Sequence, residues 1–216
     1  RSGVLVGGRV TIEDAYGYSK FARVALNTNN IDFRARLHSQ EELEFLATTK
    51  TNATYKDLDN ADHVVLIGFE PEDESPIVFL RIYKQVHKRS IRVTSIAPYA
   101  SRGSEKLKAN LIKSASGNEV SAISALSGLT SKSVVLVGER ISETEGGLSS
   151  IVKLASDTGA KLGWIPRRAG EKGAIAVGAL PNLLPGNRLV SNSSARVDLA
   201  AAWSVDSIPS EIGLST

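Results

Sequence analysis

Residues 61–100, ADHVVLIGFEPEDESPIVFLRIYKQVHKRSIRVTSIAPYA, decide the fold. His63–Ile67 is an apolar run without a charged break, as expected of a strand buried on both faces. Ser75 and Pro76 then stand as N-cap and first-turn residues of a helix expected to bury Ile77, Leu80, Val86 and their neighbours. Ile91–Ile96 supplies a second apolar strand. A crossover of this length joins parallel strands through a right-handed connection, so the stretch reads as one βαβ unit.

Working outward, Val134–Val137, a helix over about 147–157 ending near Gly159, and Leu162–Ile165 repeat the pattern. Alternating strands and helices predict an α/β fold with a doubly wound, mainly parallel sheet. Upstream, Val4–Val6 ends at Gly7 and Gly8, and Thr11 with Asp14 three residues on opens a helix. Tyr18, Phe21, Ala22 and Ala25 share one face of it and are expected to point inward, before Asn27–Asn30 stop it and a strand follows at Ile31–Arg34. Ser39 with Glu42 repeats the capping signal ahead of Leu43, Phe45 and Leu46; Lys50–Thr54 reads as a loop, and Leu58 belongs to a short helical turn. Beyond Arg167, Gly170, Gly173, Gly178, Pro181, Pro185 and Gly186 crowd a stretch without sustained period. Ser194 is expected to cap a last helix through Trp203, and Pro209–Thr216 reads as an extended tail. The expected division is an α/β domain over 1–166, with a loop-rich excursion and C-terminal helix over 167–216 packing on it.

The composition, 42% hydrophobic and 23% charged over 216 residues, is that of a folded, soluble chain of one or two domains. Its 26 basic and 23 acidic residues are interspersed, and aromatics are only 6%. The densest basic cluster, His87-Lys88-Arg89, ends a helix, where the dipole favours cations, so nucleic acid is not an expected partner. No run approaches the ~20 apolar residues of a membrane span, and the opening RSGVLVGGR is too short and glycine-rich for a signal peptide; the expectation is a cytoplasmic chain. The sequence contains no cysteine, which excludes disulfides, thiol catalysis, iron–sulfur ligation and cysteine-based zinc sites within these residues. It also contains no methionine, not even an initiating one, which suggests an internal fragment whose cofactors lie elsewhere.

Motifs of chemistry are sparse. There is no P-loop, no serine-hydrolase elbow, and His38, His63 and His87 fall in separate elements without metal-ligand spacing. Gly7-Gly8-Arg9 lacks the three-glycine spacing of a dinucleotide fingerprint; it reads as a tight turn or as a phosphate contact at the next helix, aided by Arg9. The loop Gly68–Glu74, GFEPEDE, follows the strongest strand at its carboxyl end, where open α/β sheets bind ligands. Its acids oppose a phosphate there and equally serve to stabilise a helix start. No catalytic or metal-binding residue is expected, and Gly8, Arg9, Gly68, Glu70 and Pro71 remain only as vestigial cofactor-binding candidates.

GVLVGGRVTIEDAYGYSKFARVALNTNNIDFRAR, ADHVVLIGFEPEDESPIVFLRIYKQV and VDSIPSEIG together resemble the molybdopterin oxidoreductase superfamily over most of the chain. Within it the similarity is greatest to the large iron–sulfur subunits of bacterial, especially actinobacterial, NADH:quinone oxidoreductases, through VTSIAPYASRGSEKL, WIPRRAGEKGA and LPNLLPGNR. The resemblance implies a formate dehydrogenase-like fold. Catalytic members carry Gly-Ser-Asn-Pro and His-Pro where this chain has Gly68-Phe69-Glu70-Pro71 and Ser75-Pro76, and Asp-Pro-Arg where it has Ala97-Pro98-Tyr99. They place a metal-ligating cysteine or selenocysteine just after Asn29-Asn30-Ile31-Asp32, where Arg34, Ala35, Arg36, Leu37 and His38 follow here.

The resemblance thus implies a scaffold domain in a parent complex that uses NADH, FMN and iron–sulfur clusters. Its implied partners are the other subunits of the peripheral arm, on the cytoplasmic side of the bacterial plasma membrane and without insertion into it; apart from the resemblance, Arg167, Arg168 and the glycine-rich segment are the expected contact-making residues. The alternatives are a molybdopterin-type oxidoreductase domain that still binds a pterin or nucleotide, and a free-standing nucleotide sensor supported by the βαβ pattern alone.

Overall fold

A computed structural model describes residues 2–36 and 38–215. The chain opens with β1 (Val4–Leu5), α1 (Ile12–Val24), β2 (Ile31–Asp32) and α2 (Glu41–Thr48). It continues through α3 (Tyr55–Asn60), β3 (His63–Ile67), α4 (Pro71–Glu74), α5 (Pro76–Arg89), β4 (Arg92–Ala97), α6 (Arg102–Lys106), β5 (Asn110–Lys113) and α7 (Glu119–Ser124). Next come β6 (Val134–Gly138), a 3-10 turn (Glu139–Glu143), α8 (Gly147–Thr158) and β7 (Lys161–Ile165). The chain closes with α9 (Glu171–Ala176), β8 (Leu183–Leu184), β9 (Arg188–Leu189) and α10 (Ser193–Trp203).

These elements form two compact units, Thr49–Arg167 and, from the two chain ends, Arg1–Thr48 with Arg168–Thr216. The grouping differs from the expected boundary at 166/167. One edge of the sheet unit does fall there, but the first segment of the chain pairs with the last, because the side chains that complete its core come from residues 174–183.

In Thr49–Arg167 all five strands are parallel, in the order β5-β4-β3-β6-β7. The chain moves outward from β3 through β4 to β5, returns to β6, and moves outward the other way to β7. This is the doubly wound order, and right-handed crossovers then put α5 and α8 on opposite faces. Central β3 and β6 are buried at every position, as their near-continuous Val, Leu and Ile content requires. On one face Val64, Leu66, Val93, Val134 and Leu136 pack with Leu58, Val78, Phe79, Ile82 and Val86.

The inward stripe of α5 is therefore Val78, Phe79, Ile82 and Val86, whereas Ile77 and Leu80, expected inside, are 56% and 57% exposed. The helix carries apolar residues on two opposite stripes, and only contact with the sheet selects between them. Ser75 stands at its N-cap as expected but makes no side-chain capping bond. The polar edge strand β5, Asn110–Lys113, has only two apolar residues and gives no strand signal in the sequence.

In the unit built from the chain ends, Thr11 caps α1 by accepting the Asp14 N–H at 3.1 Å, as the sequence predicts. Its buried face, however, is Ala15, Ser19, Ala22 and Arg23, leaving Tyr18 and Phe21 about half exposed and Ala25 exposed. Arg23 sets this orientation: buried, it donates to Asn29 Oδ1 at 2.8 Å, Ser19 Oγ at 2.6 Å and the Leu183 carbonyl at 2.6 Å. Burial lowers its pKa to about 10, so it stays charged at neutral pH, compensated by neutral oxygens.

Ser39 does not cap α2. Its hydroxyl has no hydrogen-bond partner, and Glu42 instead turns inside toward Arg34 and Arg36. The excursion is more ordered than expected, holding α9 and the antiparallel hairpin β8–β9. Asn192, not Ser194, caps α10 by accepting the Ala195 N–H at 3.1 Å. The tail over 210–215 has no helix or strand; its last residue, Thr216, lies outside the described residues, as does Leu37.

Candidate functional site

The doubly wound sheet has one topological switch point, between β3 and β6, where the chain departs in opposite directions; in open α/β sheets the carboxyl ends of the strands at such a point are where ligands bind. Here the structure brings together Gly68, Glu70 and Pro71 of the candidate set. Gly8 and Arg9 belong to the other unit.

At the switch point the two strand ends are in close contact. Gly68 has φ +57°, and a side chain there would come within 2.9 Å of the Ile141 amide nitrogen. A Cβ on Gly138, at the end of β6, would overlap the Gly68 carbonyl. The two glycines thus allow the loops after β3 and β6 to pack backbone against backbone.

Glu70 is the N-cap of α4 and Pro71 its first residue. The Glu70 carboxylate accepts the Glu72 N–H at 3.3 Å and the hydroxyl of Ser101, from the loop after β4. Glu72 is paired with Lys106 of α6 and Glu74 with Arg140 of the turn after β6. Glu74 also accepts the Glu70 N–H at 3.3 Å through Oε1, while its buried Oε2 has no hydrogen-bond partner. The Glu70 carboxylate lies where a Cβ on Gly103 would stand, so a side chain there would displace it. Tyr99, at the end of β4, is 70% exposed.

A molybdopterin dinucleotide, which the resemblance implies for catalytic members, carries a diphosphate. The residues here do not fit that group. Lys106 and Arg140 are already engaged by carboxylates of the turn, and Glu70 stands beside the α6 backbone where an anion would have to approach. Sequence reasoning found the acidic loop but not Ser101, Lys106 and Arg140, which lie 31, 34 and 66 residues from their partners. Reading the residue after every strand terminus, as Glu139-Arg140 follows Gly138, would have raised Arg140.

In the other unit Gly8 is buried in a turn, where a Cβ would come within 2.7 Å of Arg168 Cδ and 2.9 Å of Glu171 Oε1; the Gly8 carbonyl accepts the Gly170 N–H at 3.0 Å. Arg9 is exposed. Of the two readings of the glycine pair, this geometry is the tight turn, packed on its own chain. Of the expected contact residues, Arg167 donates its backbone N–H to Glu139 Oε1 at 2.9 Å, and Arg168 pairs with Glu171 at 3.2 Å.

The segment after Asn29-Asn30-Ile31-Asp32 holds a buried ion cluster. The guanidinium of Arg34 meets Asp32 at 2.7 Å, Glu42 at 3.2 Å and the Ser215 hydroxyl at 3.0 Å, and Arg36 also reaches Glu42. Among the described residues two cations face two carboxylates there. Among the described residues no group of three or more histidine, cysteine or acidic side chains is arranged to hold a metal ion, and no helix is long and apolar enough to cross a membrane.

Comparison with known proteins places the chain. The family model of molybdopterin oxidoreductases matches residues 2–206. An NADH-quinone oxidoreductase subunit of Mycobacterium bovis is 50% identical over 224 residues, covering 99% of this chain and 28% of that relative. The subunit of the same name from Streptomyces coelicolor is 45% identical over 249 residues, covering 100% of this chain and 30% of its own length. Formate dehydrogenase H of Escherichia coli is 22% identical over 266 residues, covering 93% of this chain and 37% of its own. The chain spans less than a third of the length of the two NADH-quinone oxidoreductase subunits. A match over nearly all of its residues, on a doubly wound parallel sheet, shows that this chain belongs to the molybdopterin oxidoreductase family.

Proposed function

We propose that this chain is a scaffold domain of the large peripheral-arm subunit of a bacterial NADH:quinone oxidoreductase, supporting electron transfer from NADH to quinone without a redox centre of its own. The observation that carries the reading is the similarity at 45–50% identity, over practically the whole chain, to proteins named as one and the same subunit of that enzyme. It is supported at the switch point, where paired carboxylates replace the polar and basic residues that a dinucleotide would need. In this reading FMN and iron–sulfur clusters belong to other parts of the parent complex. The partners are subunits of the same arm, engaged without nucleic acid or membrane insertion, on the cytoplasmic side of the bacterial plasma membrane. Arg167, Arg168 and the glycine-rich segment after them are the proposed contacts.

Native mass spectrometry of the purified chain, with and without guanine nucleotides and pterin extracts, together with metal analysis, tests the proposal. A bare polypeptide mass without molybdenum is the expected result. A retained nucleotide or molybdenum would sink it and reinstate the alternative, an oxidoreductase domain that binds a pterin.

A further inference from the structure

We infer that the acidic turn Glu70–Glu74 is a built-in substitute for a bound diphosphate, occupying the cations and hydroxyl that converge on the switch point and so closing this edge of the sheet to anionic ligands. The inference rests on the scaffold reading and supplies a physical reason for it.

Three loops meet at the edge, and the turn joins all of them. From the β4 side come Ser101 and Lys106, bonded to Glu70 and Glu72; from the β6 side comes Arg140, paired with Glu74. Stabilising a helix start would not require this. Helix α4 has only four residues, so its dipole is small, and the two cations come from elements 34 and 66 residues away in sequence. Two of the carboxylates do also accept backbone N–H groups of the turn, at 3.3 Å each, which is how a short loop would be shaped around an anion.

Two further observations agree. The Glu70 carboxylate occupies the space that a Cβ on Gly103 would take, so the α6 backbone and the carboxylate approach closely. Glu74 is nine-tenths buried with Oε2 unpartnered, so its charge is held chiefly through Arg140 instead of being dispersed in water. An incoming diphosphate would therefore meet negative charge and find both cations engaged, an exclusion by repulsion as well as by occupancy.

The test is titration of the 216-residue chain with inorganic pyrophosphate at low ionic strength, followed by calorimetry and phosphorus NMR, with circular dichroism checking the fold. The triple substitution E70Q/E72Q/E74Q keeps side-chain shape and removes the charge. It is expected to bind pyrophosphate at least ~10-fold more tightly than the wild type, and to lose that gain when K106A and R140A are added. A folded triple variant with wild-type affinity overturns the inference, as does a gain that survives K106A and R140A. Should the triple variant fail to fold, E72Q alone, at a partly exposed side chain, decides: a gain of about threefold that K106A abolishes supports the inference, and no change overturns it. Wild-type chain that binds pyrophosphate as tightly as the variants overturns the inference but not the scaffold reading, whose own test is a nucleotide retained through purification.

Discussion

In Thr49–Arg167 the central strands β3 and β6 are almost wholly apolar and fully buried, whereas in the unit built from the two chain ends the largest buried side chains include two arginines, Arg23 and Arg34. The difference follows from how each is assembled. Consecutive strands and helices find one another through short crossovers, and non-directional apolar burial is enough to hold them. Segments separated by more than a hundred residues must be matched to one another, and directional bonds do that. Arg23 reaches the Leu180 and Leu183 carbonyls, Asn29 donates to the Pro209 and Glu211 carbonyls at 2.8 Å each, and Arg34 reaches Ser215.

Each unit contains one of the two tryptophans, Trp164 and Trp203, so fluorescence in W203F and W164F backgrounds reads them separately. The largest expected effect is Arg34→Ala, which removes the buried cation shared by Asp32 and Glu42 and leaves Glu42 to Arg36. Loss of one partner of a buried ion network costs about 3–5 kcal/mol, read as a lower urea midpoint at Trp203. A loss below ~1 kcal/mol would mean that apolar contact alone holds the chain ends. An equal shift at Trp164 would mean that both units unfold as one, and the contrast would have no thermodynamic counterpart. Leu66→Ala, in the core of the sheet unit, comes next at about 3 kcal/mol, read at Trp164.

The smallest effect sharpens the contrast within the sheet. His63 is buried in β3 with Nε2 2.8 Å from Thr94 Oγ1, and its pKa lies below the ordinary 6.5, first through burial and then through Arg92. As pH falls below about 6.5 the unfolded chain takes up a proton that the folded chain refuses, so stability declines with falling pH until the folded imidazole titrates too. His63→Gln should flatten the urea midpoint at Trp164 between about pH 7.5 and 5. An unchanged slope in that variant would assign the pH dependence to another group.

The same contrast governs what can be read from the sequence. The βαβ units are legible because their signals are local: apolar runs, a first-turn proline, Gly159 closing a helix. Two stripes on one helix are not separable in this way, and periodicity puts Ile77 and Leu80 of α5, and Tyr18 and Phe21 of α1, on the wrong side. For α1 the deciding residue is a charged one, Arg23, which hydrophobic periodicity treats as solvent-facing. Glu42 reads as a helix cap for the same reason, since its partners Arg34 and Arg36 lie in the preceding segment. At the candidate site the acidic loop is legible, and its charge can be read from the sequence alone. The residues that engage it are not, because they come together only when the three strand termini do.

The discontinuity of the unit built from the chain ends also has a consequence for the order in which the molecule can be made. Arg23 leaves the ribosome about 160 residues before the Leu183 carbonyl that it binds. At about 5–20 residues per second, α1 waits on the order of ten to thirty seconds for the segment that buries it, while the whole of Thr49–Arg167 emerges in between. During that interval Ala15, Ala22 and Phe33 lack the part of their core that Ala174, Ala179, Leu180 and Leu183 supply. The nascent chain thus carries an incomplete core around α1 for that interval, on a helix whose solvent side bears Glu13, Asp14 and Lys20.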